Sequence, residues 1–149
     1  MAPIHVEVSE VIAAQPERVY AILTDYRVSH QAILPKSYFT DVTVEQGGQG
    51  AGTIVRTHMK VMGTAMNYRL IVSEPQPGRV LKEEDTAVGV ATTFTVAPLD
   101  DGQHSRVTIA TDAAPSPGVR GWLERLFNPP VMRRIYREEL RQLGEYVRG

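Results

Sequence analysis

At 149 residues, 42% hydrophobic and 22% charged, the chain has the composition of a folded globular protein, and it is long enough to bury a core without metal or disulfide support. Its formal net charge of -1, with both signs spread along the sequence, builds no field that would draw nucleic acid or an anionic membrane. The lack of cysteine excludes disulfides, cysteine-ligated zinc and thiol catalysis.

The opening "MAPIHVEVSEVIAA" has no basic region ahead of an apolar core, so it does not read as a secretory signal. No apolar run approaches the roughly 20 residues that span a bilayer. The expectation is one domain over residues 1–149, soluble and cytoplasmic, without membrane insertion.

Ile4, Val6, Val8 and Ile12 share one parity and predict a first strand, with Glu10 the polar exception on that face. "QPERVYAILTDY" then changes to helical spacing, with Pro16 in the first turn and Val19, Ile22, Leu23 and Tyr26 as its stripe. A short helix over 29–34 follows, with Ser29 as its expected cap and Pro35 as its stop.

"YFTDVTVEQ" predicts the second strand, with Val42 and Val44 on the parity of Tyr38 and Thr40, and "GGQGAG" predicts the turn after it. "TIVRTHMKVMG" and "TAMNYRLIVSE" form the next pair around Gly63, and "PQPG" is a second turn. "RVLKEED", "VATTFTVAP" and "SRVTIATD" complete the strands, the last two joined through "LDDGQH". The terminal segment carries Met132, Tyr136, Leu140, Leu143 and Val147 at helical spacing. Pro129 and Pro130 each lack a backbone donor, so the expectation is a short helix over about 119–127, a break, then the main helix. One strand, two helices, about six strands and a long helix make an α+β protein with an antiparallel sheet. The last helix is expected to cover that sheet's concave side.

Parity assigns faces. Val55, Thr57, Met59 and Val61 oppose Arg56, His58 and Lys60. Met66, Tyr68, Leu70 and Val72 share a face, as do Val90, Thr92, Phe94 and Val96, and Val107, Ile109 and Thr111. The fifth strand is ambiguous, with Leu81, Glu83 and Asp85 set against Val80, Lys82, Glu84 and Thr86. An apolar lining with a few hydroxyls suits a small hydrophobic molecule, although any one of these residues, taken singly, reads first as core. The candidate ligand-binding residues are Thr57, Met59, Tyr68, Leu70, Thr92, Phe94 and Ile109 on strands, with Trp122, Met132 and Tyr136 on the terminal segment.

The chemistry-bearing residues form no recognisable catalytic set. His5, His30, His58 and His104 have no ligand spacing, so no metal or cofactor is expected. "GGQGAG" lacks the lysine of a phosphate loop and reads as a hairpin turn. Glu10, Tyr68 and the residues around Glu83 are the acid–base groups to consider. Arg133, Arg134, Arg137, Glu138, Glu139 and Arg141 are assigned to the solvated side of the last helix, with i,i+4 pairing rather than nucleic-acid contact.

"AAQPERVYAILTD", "GQGAGTIVR", "VSEPQPGRVLKEE" and "WLERLFNPPVMRRIYREELRQLGEYV", in this order along nearly the whole chain, resemble the SRPBCC superfamily. These are the START and birch-pollen-allergen-like helix-grip proteins, and the nearest group is the polyketide cyclase/dehydrases. Gln15 stands where that family commonly has a proline, and "SHQAILPKSY" lacks its tryptophan before the proline. The resemblance implies seven antiparallel strands gripping a long C-terminal helix around an apolar cavity. It also implies a lipid-, quinone- or polyketide-like ligand. Three functions remain open: a binder of a hydrophobic molecule, a cyclase/dehydrase-type enzyme using the same cavity, and a partner-binding module with that cavity packed shut.

Overall fold

The computed structural model describes residues 2–149, apart from the side chains of Val119, Trp122, Leu123, Arg125, Leu126 and Phe127. In chain order the elements are β1 (Ile4–Ile12), α1 (Pro16–Thr24), α2 (Ser29–Ile33), β2 (Phe39–Gln46), β3 (Ile54–Val61), β4 (Thr64–Gln76), β5 (Val80–Asp85), β6 (Val90–Pro98), β7 (Ser105–Ala113) and α3 (Val119–Tyr146). The strands form one curved antiparallel sheet in the order β1-β7-β6-β5-β4-β3-β2. All neighbours but one are consecutive in sequence, as short connections favour. The exception returns β1 to the far edge beside β7, where Ile4 pairs with Ala113 and Ile12 with Ser105.

The alternation read from the sequence sets the inward face. Ile4, Val6, Val8 and Ile12 are buried on β1, Phe94 and Val96 on β6, and Val107 and Ile109 on β7. Val8, Ile12, Phe94, Val96, Val107 and Ile109 meet Val19, Ile22, Leu23 and Tyr26 from the α1 region and Leu140, Leu143 and Val147 from the end of α3 in one core. Helix α3 packs against β1 and α2, so the helix is seated firmly at one edge of the sheet. This is the helix-grip arrangement expected.

Four expectations are corrected. Helix α3 runs unbroken from Val119 to Tyr146 with Pro129 and Pro130 inside it. The two prolines remove the donors that would reach the carbonyls of residues 125 and 126, but their fixed φ is itself helical. Burial of Ile135, Leu140 and Leu143 on the following turns holds the axis. Ser29 does not cap α2. Its hydroxyl donates to the Ile22 carbonyl at 2.8 Å, while Asp25 Oδ1 accepts from the backbone N–H groups of Arg27 and Val28.

On β2, one register shift lies between Phe39 and Asp41 and another between Val44 and Gln46. The irregularity between Phe39 and Asp41 turns the strand over, so Phe39 joins Val42 and Val44 on the inner side. Thr40 instead bonds His58 Nδ1 at 2.6 Å on the exposed side. The fourth correction, at Glu139, belongs to the site.

The "GGQGAG" turn does more than reverse the chain. Gly50 has φ +54, and a Cβ there would lie 2.4 Å from Glu74 Oε2. Glu74 receives the Ala51 N–H at 2.9 Å and the Tyr20 hydroxyl at 2.7 Å, which ties the turn to α1.

Candidate functional site

Between the sheet and α3 lies a space that side chains do not fill, a cavity of about 700 Å³. Strands β3, β4 and β6 present Val55, Thr57, Met59, Met66, Tyr68, Leu70, Thr92 and Phe94 to it, and α3 presents Val131, Met132, Ile135 and Tyr136. The lining reaches Met62 and Val88, in the β3–β4 and β5–β6 turns, which are 84% and 49% exposed. The cavity therefore opens to the surface past these two turns.

Eight of the ten candidate residues line this space: Thr57, Met59, Tyr68, Leu70, Thr92, Phe94, Met132 and Tyr136. Ile109 does not. It is 1% exposed and packs in the core beside Phe94, its partner across β6 and β7. The Trp122 side chain lies outside the described residues. Glu10 is exposed and accepts the N–H of Val11, so it takes no part in the cavity.

The ambiguous strand β5 turns Leu81, Glu83 and Asp85 inward. The two acids are buried because each finds donors. Asp85 accepts the backbone N–H groups of Arg69 at 2.9 Å and Ala87 at 3.0 Å, a structural role. Glu83 lines the cavity and accepts the Tyr26 hydroxyl at 2.6 Å. His30 Nε2 lies 3.5 Å from the same carboxylate oxygen. His30 Nδ1 is 2.6 Å from the Leu23 carbonyl, which can only accept, so Nδ1 carries a proton. The ring stacks on Tyr26 with centroids 4.4 Å apart and meets Phe94 edge-on. Burial, reinforced by the Glu83 charge, pushes the Tyr26 hydroxyl well above the ordinary phenol value.

Glu139 is the largest departure from the sequence reading. It is 2% exposed and lines the cavity, not the solvated side of α3. Burial, with the nearby Glu83 charge adding to it, holds its carboxyl group well above the usual carboxylate range. Its place was legible: residue 139 follows Ile135 by four and Tyr136 by three and precedes Leu143 by four, so it stands inside the apolar stripe.

A second polar group lies nearby on the wall. Thr111 Oγ1 is 2.5 Å from the Tyr136 hydroxyl and 2.7 Å from Thr92 Oγ1. Burial pushes the Tyr136 hydroxyl up to about 12. Tyr68 is also raised by burial, and its hydroxyl contacts Met66 Sδ at 3.4 Å. Among the described residues no cluster of His, Asp or Glu could hold a metal ion, and no helix is long and apolar enough to cross a membrane.

The cavity is thus an apolar chamber with an acid–base group of Tyr26, His30, Glu83 and Glu139 at one part of its wall. Residues 3–148 match the family described as polyketide cyclase/dehydrase and lipid transport. Among solved structures the chain is similar to the KanY protein, with 29% identity, TM-score 0.86 and full coverage of both chains. It is similar in fold to a START superfamily protein from Mycobacterium smegmatis, at 16% identity and TM-score 0.64, covering 96% of this chain and 93% of that one. It also shares its fold with norcoclaurine synthase from Thalictrum flavum, solved in complex with dopamine and hydroxybenzaldehyde. That likeness has 12% identity and TM-score 0.69, covering 98% of this chain and 88% of that one. No curated protein sequence matches.

Proposed function

Since the chain belongs to the polyketide cyclase/dehydrase and lipid transport family of the SRPBCC superfamily, we propose that it binds a small, largely apolar molecule between its sheet and α3. The observation that carries this reading is the unfilled chamber of about 700 Å³, within the range of small-molecule sites. Protein interiors otherwise close to crystal-like density, so a space of this size reduces packing and calls for an occupant. The wall supports the same view, with Met59, Met66, Leu70, Phe94 and Met132 giving apolar contact and Tyr68, Thr57 and Thr92 giving single polar groups. The norcoclaurine synthase complex supports the capacity of this fold to take up small aromatic molecules.

Native mass spectrometry of the protein purified from its source tests the reading. The expected result is a fraction of the protein carrying a discrete hydrophobic compound, lost on denaturation. Protein that emerges unliganded and binds no apolar dye would contradict it.

A second reading is favoured by the acid–base group. His30 and Glu83 can accept a proton and Tyr26 or Glu139 can return one, which is what aldol closure and loss of water from a folded polyketide require. Release of an aromatic product from a poly-β-keto thioester, abolished by His30→Ala or Glu83→Gln in folded protein, would establish an enzyme.

A further inference from the structure

Two buried side-chain polar atoms among the described residues have no hydrogen-bond partner, Glu139 Oε2 and Thr57 Oγ1. Both residues line the same cavity, one from α3 and one from β3. Buried polar groups in folded proteins are nearly always paired, and an unpaired one at a ligand cavity marks a bond left for the ligand. Glu83 and Tyr136, on the same wall, are committed. Glu83 holds the Tyr26 hydroxyl, and Tyr136 shares its hydrogen bond with Thr111.

We propose that Glu139 selects the ligand, donating a hydrogen bond from its carboxyl group to an uncharged carbonyl oxygen. Ketones, aldehydes and quinones are thereby preferred over carboxylic acids of the same shape. This rests on the cavity being a binding site.

The argument is one of charge and desolvation. A buried carboxyl group beside the Glu83 carboxylate is stable as the neutral acid, and a neutral acid has one O–H to donate. A ligand carboxylate would bring a further negative charge into a wall that already holds three acids, Glu83, Glu124 and Glu139, whose one arginine, Arg120, lies 3.8 Å from Glu124. An ammonium group would have to shed its water within the same enclosure, and the carboxylate it would meet there, Glu83, already accepts the Tyr26 hydroxyl. A carbonyl oxygen is less costly to bury and can accept the Glu139 O–H, and the Thr57 hydroxyl is a second unpaired donor on the same wall. A fatty-acid carrier would need the opposite arrangement, a cation or an anion nest at the buried end of its chamber.

The test uses four fluorescent probes of one shape, anthracenes bearing an ethyl, acetyl, carboxylate or aminomethyl group at the same ring position, titrated at neutral pH. The expected order places acetylanthracene about tenfold tighter than ethylanthracene, the worth of one net hydrogen bond. The carboxylate and the amine should be weaker than the ketone by at least about the same factor. Glu139→Met should erase the ketone preference, bringing acetyl- and ethylanthracene to equal affinity, and Glu139→Gln, whose amide still donates, should retain it.

Tightest binding of the carboxylate or the amine, equal binding of ketone and hydrocarbon, or a ketone preference that survives Glu139→Met would each overturn the proposal. The wild-type comparison stands even if a variant fails to fold. Binding of ethylanthracene alone keeps the chamber and removes the selector, whereas binding of no probe removes both.

Discussion

Glu139 on α3 and Glu83 on β5 bring two carboxyl groups into the wall of one cavity, and the charge of Glu83 adds to burial in keeping Glu139 protonated. The pair has a measurable effect on stability. In the unfolded chain Glu139 gives up its proton near the ordinary glutamate value, whereas the folded chain retains it to higher pH. Between those two values the native state binds more protons than the unfolded state, so stability falls as pH rises.

Glu139→Gln removes that titration. The variant should be more stable than the parent at neutral pH, and its advantage should shrink as pH falls toward the ordinary glutamate value. The slope is at most about 1.4 kcal/mol per pH unit. Urea midpoints of both proteins across this range give the answer, and parallel curves would show that Glu139 ionises freely.

Tyr26 supplies Glu83 with its 2.6 Å hydrogen bond and also stacks on His30. Tyr26→Phe keeps the ring and the stacking while leaving a buried carboxylate oxygen short of a donor. A loss of about 1.5–3 kcal/mol is expected, as for a hydrogen bond to a charged group. Chemical denaturation measures it, and a change below about 0.5 kcal/mol would mean that Glu83 has another donor.

Met62 sits in the two-residue turn between β3 and β4 at φ +51, beside Gly63 at φ +81. A turn with both central residues left-handed favours Asn-Gly over Met-Gly. Met62→Asn should therefore stabilise the fold by about 0.5–1 kcal/mol, read from the thermal midpoint. Because Met62 also borders the cavity opening, the same variant should bind apolar ligands more weakly, which separates a backbone effect from a contact effect.

The two faces of β3 and β4 should differ in function. Tyr68→Ala removes a side chain from the cavity wall, while Arg56→Ala removes one that pairs with Glu45 on the exposed face at 3.0 Å. Binding of an apolar probe should weaken at least about fivefold in the first, the scale of a lost aromatic contact, and stay unchanged in the second. Equal effects would contradict the placement of the site.

Much of this was open to reading in the sequence where one face of a strand is apolar and the other charged. The alternation of Val55, Thr57 and Met59 with Arg56, His58 and Lys60 placed β3 correctly because only one face can tolerate burial. On β5 the pattern was silent, since acids occupy both faces. What decides there is that Tyr26 and His30 reach Glu83 and that backbone N–H groups reach Asp85, contacts between residues distant in sequence.

At Glu139 charge and spacing disagree: the charge argues for the solvated side of α3, the spacing puts it among Ile135, Tyr136 and Leu143, and the side chain follows the spacing. The unbroken α3 shows that proline chemistry sets a local cost which packing of the flanking turns can outweigh.

The central claim, that a ligand enters between the sheet and α3, is tested most directly by nuclear magnetic resonance titration with acetylanthracene. Shifts should concentrate at Thr57, Tyr68, Leu70, Phe94, Met132 and Glu139, with Arg56 and Lys60 unmoved. Shifts confined to the outer face of the sheet, or none at saturating probe, would contradict it.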